Sequence, residues 1–339
     1  MYTWWPETSW QSSAASNAVT VPLIGGGRTR SLLAEVSGVE LERLRQSVRG
    51  HVLIDEPMSS HTSFRIGGPA DLLVYVQDEE DLQHAAGWFR RQGLPFKVVG
   101  NGSNMLVSDA GIRGGVIKLT PRFNQVSFEG DTMVVGAGAK LARVVQQAAE
   151  AGLSGLESTV GIPGTMGGAL VTNAGTDTGS IGDLVSEALL MDERGQIRTW
   201  NAQELGYRYR YSKLPASRMI VMRARLALTP APKEEIQVKM SRLGEKRAGR
   251  QPLRFWSAGC VFKNPLELAA GKLLDRSEAK GMAIGGAEVS RKHANFIINR
   301  GGATASDVRG LIDRLHHLAL LTYGLDLELE IELVGEWNS

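Results

Sequence analysis

The sequence predicts an α+β fold divided into more than one domain, and three observations support that reading. Segments with the two-residue period of a strand alternate with segments of helical period from residue 71 onward. The stretch TPAPKEE at 229–235, with two prolines and a charge run, interrupts that alternation and marks a linker and a domain boundary. Finally, 339 residues that are 42% hydrophobic and 22% charged suffice for two or three modest cores.

Residues 1–39 mix Ser, Ala and Gly with Trp4, Trp5 and Trp10 and show no sustained period, so they form an extension with the composition of a segment that can stay disordered. Asp71 to Val76 is strand-like. Leu82, Ala85, Ala86 and Phe89 then recur at helical spacing until Gly93, and Pro95 to Val99 forms the next strand. A second unit follows: strand-like Thr132 to Val135, then a helix with Leu141, Val144, Val145 and Ala148 on one face, closed by Gly152. Met219 to Leu226 is a strand before the linker, and a helical segment begins after it. Thr304 and Asp307 form a capping pair for a helix whose stripe is Val308, Leu311, Ile312, Leu315 and Leu318, stopping at Gly324. The closing segment, LDLELEIELVG, alternates strictly, so that Asp326, Glu328, Glu330 and Glu332 share one face of a half-buried strand.

Composition excludes several classes. Thirty-eight basic against thirty-six acidic side chains leave a formal charge of +2, too little for nucleic-acid binding by phosphate neutralisation. Cys260 is the only cysteine, so neither an internal disulfide nor a cysteine zinc site can form, and a reducing cytoplasm fits. No apolar run reaches the roughly 18 residues of a membrane helix, and the start lacks the features of a secretory signal. No metal, nucleic-acid or membrane partner is therefore expected.

Two glycine-rich loops stand out. VVGNGSNML, after a strand, offers Gly100 and Gly102 with Ser103 and Asn104, whose backbone N–H groups and short side chains suit either a diphosphate or a tight turn. Met105 stands where a dinucleotide fingerprint needs its third glycine, so a standard nucleotide fold is not indicated. The stretch from Gly152 to Gly175 holds seven glycines and Pro163 without becoming hydrophilic. It reads as a loop for close approach to a flat or phosphorylated ligand, or as a buried β corner.

Seven fragments in order resemble UDP-N-acetylenolpyruvoylglucosamine reductases: HTSFRIGGPAD, VVGNGSNMLVSDAG, GIPGTMGGALVTNAG, YRYS, SAGCVFKNP, KHANFIIN and LELE, spread over about 280 residues. The resemblance implies a two-lobed FAD-binding domain of the vanillyl-alcohol-oxidase/PCMH type plus a smaller α/β substrate-binding domain. It implies lobe one at 40–114 with 326–339, lobe two at 115–229 and the substrate domain at 230–325. It further implies NADPH-dependent, FAD-mediated reduction of UDP-N-acetylenolpyruvoylglucosamine to UDP-N-acetylmuramate in peptidoglycan precursor synthesis, in the cytoplasm, by a monomer or an oligomer. Gly100, Asn101, Gly102, Ser103, Asn104, Met105, Ile162, Pro163, Gly164, Thr165 and Asn173 are the implied FAD contacts. Tyr209, Lys263 and Asn264 are implied for the substrate, and Arg210, Cys260 and Glu330 for the chemistry. Thr176, Asp177 and Glu332 depart from the family pattern. An FAD-dependent hydroxy-acid or alcohol oxidase on the same flavin fold is the alternative, although it leaves SAGCVFKNP and LELE without a task.

The implied roles suit the residue types. Hydride addition to an enol ether conjugated with a carboxylate pushes negative charge toward the α carbon, and Arg210 offers a fixed cation for it. A thiol with an ordinary pKa of about 8.5 is mostly protonated at pH 7, so Cys260 can give the α-carbon proton. Glu330 either bonds the substrate carboxylate or supplies a proton after burial raises its pKa. Lys246, Arg247 and Arg250 form a basic cluster that either steers a diphosphate or is a solvated helix face. His61 and His293 are given no chemical role.

Overall fold

The computed structural model describes residues 36–265 and 268–337. Most of the N-terminal extension, including its three tryptophans, lies outside the described residues.

The first lobe is a four-stranded sheet in the order Val52–Pro57, Pro69–Val76, Ile112–Leu119, Phe96–Val98. The first pair runs antiparallel and the other two run parallel. Pro69–Val76 is buried on both faces, as a central strand of a covered sheet must be. The helix Glu79–Arg91 covers it. Asp78 caps this helix by accepting from Asp81 N–H, acidic residues fill its first turn and Arg90 and Arg91 its last, so its ends are satisfied by charge and hydrogen bond alike. Leu82, Ala85, Ala86 and Phe89 are buried as expected, and Trp88 joins them.

The second lobe is antiparallel throughout: Ile197–Asn201, Val185–Met191, Ile220–Ala227, Thr132–Gly136, Val126–Glu129. The helix Leu141–Glu150 lays Leu141, Val144, Val145 and Ala148 on its core. Beyond Ala227 the expected linker proves to be pinned. Thr229–Pro230 pairs with Leu153–Ser154, and Ala231 N–H donates to Gly152 O at 2.9 Å. The helix Lys233–Arg250 then packs back on this lobe through Ile236 and Met240, with Lys239 3.4 Å from the buried carboxylate of Glu157.

The remaining chain forms a small three-stranded sheet, Ala283–Ile284, Ala287–Val289, Ile297–Asn299, beneath the long helix Ala305–Tyr323. That helix has the expected Thr304–Asp307 capping box and ends at Gly324 with φ +67°. Asp109 of the first lobe adds a second cap that local sequence does not reveal. Its carboxylate accepts from Ala305 N–H at 2.7 Å and Ser306 N–H at 2.9 Å, which ties the helix to the sheet across nearly two hundred residues.

The closing segment corrects the expectation of one long strand. Only Glu332–Val334 joins a ladder, in parallel with Met105–Val107, while Leu329 makes a single bridge to Phe262. Its partner strand is three residues long, so pairing stops there although the alternation of side chains continues. Leu327 and Ile331 are buried, and Asp326 and Glu328 are exposed at 74% and 73%. Glu330 breaks that pattern at 17%, because the chain turns it into a cleft.

Candidate active site

A continuous cleft of about 3820 Å³ runs between the two lobes and the C-terminal unit. Sites for a single small molecule usually occupy 300–1,000 Å³, so the space suits a large cofactor together with a second ligand.

One surface of the cleft is backbone. The loop Gly100–Asn104 and the loop Gly161–Thr165 touch each other, with Ser103 Oγ donating to Pro163 O at 3.1 Å. Gly100 must be glycine, since a Cβ there would come within 2.3 Å of Thr165 Oγ1. Gly102 has φ +58°, and a Cβ would meet His61 O at 2.3 Å. Among the described residues no protein acceptor takes the N–H groups of Gly100 through Asn104, nor those of Gly164 and Thr165. Lys118, whose Nζ donates to Gly100 O at 3.0 Å, adds a cation that burial pushes below its usual pKa. Unspent N–H groups beside a cation on glycine-rich loops are a cradle for a diphosphate, so these residues fit FAD. Met105 and Ile162 border the cleft but pack largely into the protein.

Asn173 does something the sequence did not disclose. Its Nδ2 donates to Arg208 O at 2.8 Å and its Oδ1 accepts from Gly182 N–H at 2.9 Å, so the side-chain amide is spent on holding the next turn. In that turn Arg208 and Tyr211 exchange backbone hydrogen bonds at 3.1 Å, and Arg210 sits at φ +50°, a strained conformation for a side chain of its size.

The other surface is side chain. Arg210 donates to Gly175 O at 2.9 Å, lies 5.6 Å from the centre of the Tyr209 ring, and places Nε 2.6 Å from Glu330 Oε1. The Nε–H is not aimed along that last contact, so the pair is held by charge and the N–H remains available. Glu330 is fixed by its backbone, with N–H donating to Val261 O at 2.8 Å and O accepting from Asn104 Nδ2 at 3.0 Å. Burial pushes the Glu330 carboxyl up, and Arg210 opposes that shift. Cys260, one residue before Val261, is pushed up to about 12, chiefly by burial and then by Glu330, against the pull of Arg210 and Arg247. Its thiol is therefore neutral over the whole physiological range.

Asn295, from the KHANF fragment, holds the segment that carries the thiol. Its Oδ1 accepts from Phe262 N–H at 2.9 Å, and its Nδ2 donates to Phe262 O at 2.8 Å. Lys263 pairs with Glu328, Asn264 N–H donates to the Tyr209 hydroxyl at 3.3 Å, and Asn264 Oδ1 accepts from Ala270 N–H at 3.1 Å. His293 packs against Phe296, and burial pushes its pKa down, in keeping with a structural part.

The basic cluster divides into different fates. Lys246 bonds Asp177 at 2.9 Å, which gives that departure from the family pattern a partner, and Arg250 is exposed. Arg247 turns into the cleft. Ile236, Met240, Leu243 and Arg247 follow the i, i+4, i+7, i+11 spacing of one helix face, the signal that separates it from its solvated neighbours.

The FAD binding domain model matches residues 70–201, and the model of the UDP-N-acetylenolpyruvoylglucosamine reductase C-terminal domain matches 251–334. The UDP-N-acetylenolpyruvoylglucosamine reductase of Moorella thermoacetica is 45% identical over 293 residues, covering 86% of this chain and 96% of its own. That of Heliobacterium modesticaldum is 41% identical, covering 87% and 95%. The crystal structure of the enzyme from Thermus caldophilus superimposes with a TM-score of 0.74 at 40% identity, over 84% of this chain and 99% of that one. With both family models in their expected order and relatives matched over nearly their full length, the chain belongs to the UDP-N-acetylenolpyruvoylglucosamine reductase family, flavoprotein oxidoreductases of peptidoglycan precursor synthesis.

Proposed function

We propose that this chain reduces UDP-N-acetylenolpyruvoylglucosamine to UDP-N-acetylmuramate with NADPH as donor, and that Arg210, Cys260 and Glu330 carry the chemistry on the substrate side. The observation behind this is the meeting of a paired guanidinium, a neutral thiol and a buried carboxyl beside a diphosphate cradle. Bound FAD supplies the means of passing a hydride from NADPH to the enolpyruvyl β carbon. Residues 100–105, 162–165 and Asn173 would border it, and Tyr209, Lys263 and Asn264 would meet the nucleotide sugar.

Once hydride reaches the β carbon, the electron pair of the double bond moves to the α carbon and into the carboxylate. Arg210 meets that charge from a turn already fixed by Asn173, so little reorganisation is needed at the moment of reaction. The Cys260 thiol then gives its proton to the α carbon, and the thiolate recovers one from Glu330 or water. Glu330 has a raised pKa and backbone anchors on Val261 and Asn104, which keep it beside the thiol-bearing segment. In domain terms, 40–114 with 326–339 and 115–229 hold the cofactor, and 230–325 holds the sugar.

The test is anaerobic. Holoenzyme mixed with NADPH should bleach, and oxidised flavin should return only after the enolpyruvyl sugar is added. Return at the same rate with oxygen alone would assign the chain to the oxidases of this flavin fold.

A further inference from the structure

Among the described residues, Arg247 is a cation without a counter-charge. Its stem lies over Gly161, where a Cβ would stand 3.0 Å from Cδ, and its Nε is buried with no hydrogen-bond partner. Among the described residues no carboxylate lies within ion-pair distance of its guanidinium. Arg247 is half-buried, and taking an unpaired cation even partly out of water is costly unless a ligand relieves that cost. The residue borders the same cleft as Arg210 and Cys260 and acts electrostatically on the thiol and, by repulsion, is acted on by Arg210. Arg210 already has Glu330. The surplus positive charge of the cluster is therefore carried by Arg247, and a single anion balances it.

Resting on the proposed reductase activity, we propose that Arg247 binds the carboxylate of the enolpyruvyl group, as a second catalytic cation beside Arg210. The substrate has two anionic groups, and Lys263, Lys272 and Lys292, which also line the cleft, are cations suited to the diphosphate. The carboxylate is the anion that must lie next to the thiol, because it is bonded to the carbon the thiol protonates. Arg247 would hold it in the ground state and Arg210 would take the added charge in the transition state.

The experiment compares two ligands on oxidised holoenzyme by flavin absorbance: UDP-N-acetylmuramate, which has the carboxylate, and UDP-N-acetylglucosamine, which lacks it. Arg247→Gln should weaken the first by about 10- to 100-fold, the usual effect of losing a charge-assisted hydrogen bond, and leave the second within about twofold. Arg247→Lys should recover part of the loss, and flavin content and melting temperature serve as checks that both variants fold. Equal weakening of both ligands would move Arg247 to the diphosphate and overturn the proposal. Unchanged affinities would also overturn it. If unsubstituted holoenzyme neither binds UDP-N-acetylmuramate nor turns over the enolpyruvyl sugar, the reductase reading itself fails and this one goes with it.

Discussion

The two surfaces of the cleft are made of different material. Residues 100–104 and 161–165 present main-chain N–H groups, while Arg210, Arg247, Cys260 and Glu330 present side chains with charge or protons to move. Main-chain donors carry no rotamer entropy and no ionisable group, so apart from the Lys118 cation the first surface has little that titrates and is vulnerable mainly where a glycine is lost. The second surface titrates and is vulnerable to removal of a single charge. Cofactor retention and substrate chemistry should therefore fail separately, although Asn104 links the two surfaces through its bond to Glu330 O.

The largest separation is expected at Cys260. Cys260→Ala should slow α-carbon protonation by about 10²- to 10⁴-fold, the usual contribution of a positioned acid, with flavin binding unchanged. Cys260→Ser should keep most of the rate. Because the thiol is pushed up to about 12, its ionisation lies far to the alkaline side, and the pH profile of the substrate half-reaction should show no loss from Cys260 up to about pH 10. A descending limb near pH 8 that vanishes in Cys260→Ser would contradict this.

Glu330→Gln keeps shape and removes charge, and it leaves Arg210 without its ion pair. A fall of about 10- to 100-fold in the substrate half-reaction is expected, together with loss of any rate dependence attributable to this carboxyl, measured by rapid mixing across pH. Gly100→Val acts on the other surface. With a Cβ 2.3 Å from Thr165 Oγ1 the two loops must part, and FAD affinity should drop about tenfold or more by titration of apoprotein. The half-reactions of whatever holoenzyme remains should be close to normal. Smallest of all, Asp109→Ala removes a cap distant from both surfaces and should cost about 1 kcal/mol of stability in denaturant unfolding, with kcat unaltered.

Much of the architecture could be read from local pattern. The helix Ala305–Tyr323 carries its own start and stop in Thr304, Asp307 and Gly324, and each acts within a few residues. The features that escaped depend on distant partners. Asp109 caps a helix from another sheet, and the last strand is cut short by the length of Met105–Val107. Within the site, residue types and motif order pointed to Arg210, Cys260 and Glu330, yet alternation alone placed Glu330 on the same face as Glu328. Only the tertiary turn toward Arg210 distinguishes them. The family resemblance implies a cofactor contact at Asn173, and the bracing by its amide of the turn that presents Arg210 depends on residues far along the chain.

The sharpest test of divided labour is Arg210→Met, followed through both half-reactions on one preparation by anaerobic rapid mixing. Flavin bleaching by NADPH should proceed within a few fold of the unsubstituted rate, while return of colour with the enolpyruvyl sugar should slow by about 10²- to 10³-fold, the scale of one lost preorganised charge. Equal slowing of both steps, or return of colour at an undiminished rate, would mean that Arg210 does not bear the charge that develops on the substrate.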